Sequence, residues 1–256
     1  MSRDAYLHEL DEFSDLIRII ASEKDIVPQL VEKDYWIMHC LYGLSTQGFE
    51  FELKGGTSLS KGYGIINRFS EDIDLHISPG TAPFDVDTNP RHKKTQHVES
   101  RKKFYDWLAE EISIVGVTHI ERDTEFDDDL YRSGGIRLFY DSRFEEKTDL
   151  KEGILLEVGF DDTTPNKAVT ITSWALDKAQ LAGAKYLDNR AVDVKCYHPG
   201  YTFVEKLQTV STKFRKQQAS GEFSRNFMRH YYDISQLLGH PDVQGFIGTD
   251  DYQERK

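Results

Sequence analysis

The chain has 256 residues, and at roughly 150 residues per domain that means one or two domains, with room for a core that needs no disulfide or metal staple. Its 32 Lys and Arg stand against 44 Asp and Glu, a net charge of −12, which argues against a whole-surface electrostatic clamp on nucleic acid and leaves only local basic patches. The acidic start lacks the apolar stretch of a signal peptide, no run approaches the roughly 18 apolar residues of a membrane span, and Cys40 and Cys196 have no CxxC partner, so a cytoplasmic protein with two unpaired thiols is expected.

In chain order, Leu7, Leu10, Phe13, Ile17 and Ile20 recur at steps of three and four and predict an amphipathic helix. Pro28 suits the first turn of a second helix, with Leu30, Val31, Trp36, Ile37, Met38, Leu41 and Leu44 as its buried residues. Phe49, Phe51 and Leu53 alternate with Glu50 and Glu52, which predicts a strand that runs into Gly55-Gly56-Thr57-Ser58, with a helix beginning over 58–61. Ile73, Leu75 and Ile77 alternate with Asp72, Asp74 and His76 in a second strand. Residues 91–115 read as a helix carrying Phe104, Trp107, Leu108 and Ile112 on one face and stopped by Gly116. The acidic stretch 121–129 reads as a solvated loop, and strands are predicted at 135–140, 153–160, 167–172 and 192–197. Helical spacing then returns, with Phe203, Leu207, Val210 and Phe214 as one stripe and Phe227, Tyr231, Ile234 and Leu238 as another. The order predicts an α+β fold: a core over 1–198 that includes the N-terminal helices, and a C-terminal helical lobe over 199–256.

Chemistry concentrates between Lys54 and Ile77. Two glycines let backbone N–H groups approach a ligand closely, Thr57 and Ser58 add hydroxyls, and a following helix N-terminus favours a phosphate. Taken alone such a turn is more often structural, and it is not a Walker A loop, since GxxxxGK[ST] is absent. Asp72 and Asp74 lie two apart on one strand face, roughly 7 Å from each other, where they repel unless a cation lies between them. Carboxylate oxygens suit Mg²⁺, which also holds substrate phosphates. Glu157 is the lone charge in the apolar run 153–160 and needs a partner, either a salt bridge or a metal shared with the two aspartates.

These segments resemble a known signature. Gly55-Gly56-Thr57-Ser58-Leu59-Ser60-Lys61-Gly62 followed by Arg68-Phe69-Ser70-Glu71-Asp72-Ile73-Asp74-Leu75 is similar to the nucleotidyltransferase superfamily and, more narrowly, to the AbiEii/AbiGii toxins of abortive-infection toxin–antitoxin systems. Glu32-Lys33-Asp34-Tyr35-Trp36 resembles the family's N-terminal helix, and Leu155-Leu156-Glu157-Val158, Glu205-Lys206-Leu207 and Arg229-His230-Tyr231-Tyr232-Asp233 resemble its later motifs, in the right order over about 28 to 240. In the last of them His230 stands where the family often has Asp, so the functional role carries to Asp233 only. The resemblance implies a nucleotidyltransferase-like mixed sheet flanked by helices. It implies that Asp72, Asp74 and Glu157 hold Mg²⁺ or Mn²⁺, with Glu157 completing the metal site or acting as base. It makes Lys206 a triphosphate ligand, oriented by Asp233 or sharing the nucleotide with it; the local alternative for Asp233 is an i, i+4 pair with Arg229. Gly55, Gly56, Thr57 and Ser58 would cradle the outer phosphates, with Lys61, Arg68 and Ser70 as further substrate-binding candidates.

Two basic clusters oppose the net charge: Arg91, His92, Lys93, Lys94, Arg101, Lys102 and Lys103, and then Lys206, Lys213, Arg215, Lys216, Arg225 and Arg229. They read as solvated helix faces or, with a family whose members include enzymes that add nucleotides to tRNA ends, as contacts for an RNA acceptor. The resulting expectation is a metal-dependent transfer of a nucleoside monophosphate from a nucleoside triphosphate to RNA, by the toxin of a toxin–antitoxin pair with a cognate antitoxin. The competing readings are a metal-dependent nuclease or phosphatase, and a nucleotide-binding module without turnover.

Overall fold

The computed structural model describes residues 5–144, 150–222 and 226–256. A short helical turn, Leu7–Glu9, leads into α1 (Phe13–Lys24), which buries Phe13, Ile17 and Ile20 and ends where Asp25 adopts a left-handed conformation. α2 (Pro28–Thr46) starts at Pro28 as its composition requires, and it is buried nearly all round rather than along a stripe. β1 (Phe51–Lys54) passes directly into a one-turn helix, α3 (Gly55–Thr57), and a wider turn over Ser58–Gly62, so the helical segment begins three residues earlier than its sequence signal. β2 (Asp72–Ile77) then carries the alternating carboxylate and apolar faces.

α4 spans Thr95–Glu111, shorter at both ends than expected. The acidic stretch is not simply a loop. β3 (Val117–Asp123) runs into it, and two of its charges are paired, Asp123 with Arg137 and Asp127 with Arg122. Charge density hid a strand whose faces are both half-exposed and so lack an apolar alternation. β4 (Ser133–Tyr140), β5 (Ile154–Gly159), β6 (Asn166–Ile171), α5 (Trp174–Leu181) and β7 (Ala191–Tyr197) follow. α6 (Pro199–Ser220), α7 (Phe227–Leu238), α8 (Pro241–Phe246) and α9 (Asp250–Arg255) complete the chain.

Among the described residues seven strands form one mixed sheet in the order β3-β4-β5-β2-β1-β7-β6. β2 is antiparallel to β1 and parallel to β5, in a register that pairs Asp74 with Glu157. The main core joins this sheet to α1, α2 and α4. A second apolar cluster gathers Phe203, Val204, Leu237, Val243 and Phe246 of the C-terminal helices around Leu59 and Ile66. The inward face of α7 differs from the predicted stripe: Phe227, Asp233 and Leu237 are buried, whereas Tyr231 and Leu238 are exposed. A buried Asp in place of a hydrophobe shifts the apparent stripe, and Asp233 explains why.

Candidate active site

The strand pairing brings the three carboxylates together. Asp72 and Asp74 lie on the exposed-facing side of β2, and the parallel neighbour β5 sets Glu157 beside Asp74. Burial, reinforced by Asp74 and Asp72, pushes the Glu157 carboxyl up to about 7. Burial likewise raises Asp74, with Lys54 acting against it and Asp72 with it. Among the described residues no group donates a hydrogen bond to the Glu157 carboxylate.

The glycine turn is shaped by these carboxylates. Gly55 has φ +67°, and a Cβ there would lie 1.9 Å from Asp74 Oδ2, so both conformation and space require glycine. The Gly56 N–H donates to the Asp74 carboxylate, and a Cβ on Gly56 would meet Ser70 Oγ at 2.5 Å. The Thr57 hydroxyl donates to the Asp72 carbonyl at 2.6 Å and ties the turn to β2, while Ser58 is buried beside the Cys196 thiol.

A cleft of about 460 Å³ opens over this edge, lined on one side by Gly55, Gly56, Ser70, Asp72, Asp74 and Glu157 and on the other by Arg68, Lys206, Arg229 and His230. Asp233 lies behind the basic side. It is fully buried, accepts two hydrogen bonds of 2.7 Å from the Arg68 guanidinium and pairs with Lys206 at 2.8 Å. Burial alone would raise the Asp233 carboxyl, but Arg68 and Lys206 hold it below its ordinary value. It therefore aims both cations into the cleft, and the local pair with Arg229 does not form.

Three predicted ligands face elsewhere. Thr57 and Ser58 have buried hydroxyls and contribute their backbone turn rather than a side-chain contact to the cleft. The Lys61 ammonium pairs with Asp34 on α2 and donates to the Thr172 carbonyl at 3.1 Å, in an adjoining pocket. The cleft also holds residues that sequence reasoning did not single out as ligands. Lys151 donates to both Asp72 oxygens at 3.2 and 3.3 Å, and Lys54 pairs with Asp161. Burial works against the Lys54 charge, but Asp161 outweighs it and the ammonium pKa is raised. Arg229 was read within a basic cluster, in the last motif and as a local partner of Asp233, but not as a ligand; its position in that motif was the available signal. Lys151 carried none.

The carboxylate edge fits a hard divalent cation: its donors are all oxygen, one is without a hydrogen-bond donor, and burial together with mutual repulsion raises two of them. The first basic cluster fits RNA less well than expected, because Arg101 is fully buried, Lys102 pairs with Asp106, and Lys103 sits 3.9 Å over the Phe84 ring. In the second cluster Arg225 lies outside the described residues.

The motif on α2 has its own role. Glu32 accepts from the Ser142 hydroxyl at 2.6 Å and the Arg143 N–H at 2.8 Å. Lys33 pairs with Glu71 at 3.2 Å and donates to the Lys151 carbonyl at 2.5 Å, and Asp34 accepts the Trp174 N–H at 2.8 Å. Three consecutive charges thus pin three segments, two of which border the cleft.

A family model described as "Nucleotidyl transferase AbiEii toxin, Type IV TA system" matches residues 39–249. No curated protein matches the chain. Among solved structures, the chain is similar to an antigenic nucleotidyltransferase-like protein from Paracoccidioides brasiliensis, with 14% identity, a TM-score of 0.45, and coverage of 88% of this chain and 85% of that one.

Proposed function

This chain belongs to the AbiEii nucleotidyltransferase toxin family, and from that premise we propose that it moves a nucleoside monophosphate from a nucleoside triphosphate to a tRNA-like RNA. The observation that carries this reading is one cleft with an acidic edge, Asp72, Asp74 and Glu157, facing a basic wall of Arg68, Lys206 and Arg229. A triphosphate needs both: cation-holding carboxylates near its α-phosphate and fixed positive charge along its outer phosphates.

Asp72, Asp74 and Glu157 would hold Mg²⁺ or Mn²⁺, which when bound neutralises phosphate charge and the departing pyrophosphate. Lys206 and Arg68, aimed by Asp233, grip the outer phosphates, and Arg229 adds a third cation. The Gly55-Gly56 turn lets those phosphates approach the backbone. Lys151, paired with Asp72, exchanges that partner for a phosphate as substrate enters. The acceptor hydroxyl then attacks the α-phosphorus, the bond to the β-phosphate breaks, pyrophosphate leaves, and the hydroxyl proton passes to a carboxylate of the edge. Most of the rate enhancement comes from positioning and electrostatics. The carboxylate edge belongs to the core over 1–198 and most of the basic wall to the lobe over 199–256, so we read the cleft as the joint between them. The family's Type IV toxin–antitoxin description supports a cognate antitoxin as a partner. Its action belongs in the cytoplasm with its RNA; no helix among the described residues is long and apolar enough to cross a membrane.

Incubation with each α-³²P-labelled nucleoside triphosphate, Mg²⁺ and total cellular RNA, beside an Asp72→Ala, Asp74→Ala control, tests the reading. Label in a discrete RNA band, absent from the control, is expected. Label on protein would replace RNA as the acceptor, shortened unlabelled RNA would establish a nuclease, and binding without turnover a sensor.

A further inference from the structure

Away from the cleft, the segment between β2 and α4 assembles a different set of donors. Asp87 Oδ2 faces His92 Nδ1 at 2.7 Å and is also in contact with His97 Nδ1, and one ligand atom from each of the three residues lies within 4.8 Å of the other two. The two imidazole rings are 4.9 Å apart between centroids. From this geometry we infer a second metal site, for a borderline transition-metal ion such as Zn²⁺, built from Asp87, His92 and His97.

The donors are divided as a metal site needs. Asp87 Oδ1 accepts the Asn89 N–H at 3.0 Å, which leaves Oδ2 for the ion. The outer nitrogen of each imidazole faces an amide: Asn89 Nδ2 lies 3.3 Å from His92 Nε2, and Gln96 Nε2 lies 3.5 Å from His97 Nε2. The Gln96 amide turned by 180° presents its carbonyl and accepts the Nε2–H that a metal-bound His97 carries, the usual support for a histidine ligand, whereas the Asn89 amide keeps its oxygen on the Arg91 N–H at 3.0 Å. Bonds of about 2.0–2.2 Å in a tetrahedron put ligand atoms about 3.4 Å apart, so the cluster closes on an ion by small outward shifts. Two imidazoles and one carboxylate favour Zn²⁺ over Mg²⁺, and the exposure of His92, 49%, leaves a side open for water.

The backbone beneath is already fixed. Arg101, fully buried on α4, donates to the carbonyls of Asp87 at 3.3 Å, Asn89 at 3.2 Å, His92 at 3.0 Å and Leu130 at 2.9 Å. A buried guanidinium that hydrogen-bonds four carbonyls, and lies 3.9 Å from Asp87 Oδ1, holds the loop that carries two ligands against the helix that carries the third. The ion would complete this staple between the chain leaving β2 and the first turn of α4, and the inference stands independently of the catalytic reading.

Titration of Zn²⁺ into the chelator-stripped full chain under saturating Mg²⁺, which occupies all-oxygen sites, tests it by calorimetry. One Zn²⁺ per chain is expected, with at least tenfold weaker binding in His92→Gln and in His97→Gln and a melting temperature that Zn²⁺ raises only in the unsubstituted chain. Absence of Zn²⁺ uptake, or uptake that both variants retain, overturns the site. Should the variants misfold, the Co²⁺-loaded unsubstituted chain decides: hyperfine-shifted Nε2–H signals from two imidazoles support the site, and their absence overturns it.

Discussion

α2 and the carboxylate edge each bring three ionisable side chains into the interior, and they treat them in opposite ways. On α2, Glu32, Lys33 and Asp34 are almost fully buried, and each meets a specific partner: Ser142 and Arg143, Glu71 and the Lys151 carbonyl, and Lys61 with the Trp174 N–H. At the edge, Asp72, Asp74 and Glu157 crowd one another, two of them are raised by burial and mutual repulsion, and the Glu157 carboxylate has no hydrogen-bond donor among the described residues. Buried charge satisfied from within the chain acts as a staple. Buried charge left short of partners within the chain suits contact with a ligand of opposite charge, at a cost to stability that the rest of the fold must offset.

Substitutions can break that contrast. The largest effect is expected at the staple: Asp34→Ala strands the Lys61 ammonium and the Trp174 N–H and should cost about 3–5 kcal/mol in equilibrium denaturation. Asp74→Asn should do the reverse, lowering transfer activity by about 10²–10³-fold while leaving the melting temperature unchanged or higher, since a neutral amide relieves repulsion. A loss of stability in Asp74→Asn as large as that in Asp34→Ala would erase the distinction.

Gly55→Ala sharpens the comparison from the backbone side. With φ +67° and the Asp74 carboxylate in the space of the new methyl group, it should cost about 1–3 kcal/mol and reduce activity together. A variant that melts and turns over normally would show that the turn is not moulded to Asp74.

The smallest effect concerns a staple of neutral groups. His8, packed beside Tyr35 and His39, is pushed down to about 3 by burial, with His39 and Arg143 adding to the shift. Above the unfolded value of 6.5 the ring is neutral in both states. As pH falls below it the unfolded chain gains a proton that the folded chain refuses, and stability drops by about 1.4 kcal/mol per pH unit toward the folded value. Urea midpoints from pH 7 to pH 5 should therefore fall more steeply in the unsubstituted chain than in His8→Gln. Equal slopes would mean that His8 protonates in place.

Much of this was legible before any coordinates. The two-residue period of 72–77 set Asp72 and Asp74 on one face and anchored the strand by Ile73, Leu75 and Ile77, all fully buried. Glu157 stood out as a single charge in an apolar run. Lys61 misled because its position after a glycine turn specifies proximity to the site but not direction, and Asp34, distant in sequence, supplied the stronger local field. α7 misled because its inward face holds Asp233, which periodicity counts as a surface residue. β3 was hidden by charges that find their partners on a neighbouring strand and in the turn that follows.

The sequence by itself determined most of the elements, though not β3 or α5, together with the family and the identities of the three carboxylates, because local periodicity and turn chemistry act over a few residues. The tertiary structure decided which charges pair within the fold and which line the cleft. Asp233 reaches Arg68 across 165 positions and Glu32 reaches Ser142 across 110. Pairings at such separations are chosen by sheet order and helix packing, so no local pattern records them. The same holds for Lys151 and Arg229, drawn to one cleft from opposite halves of the fold.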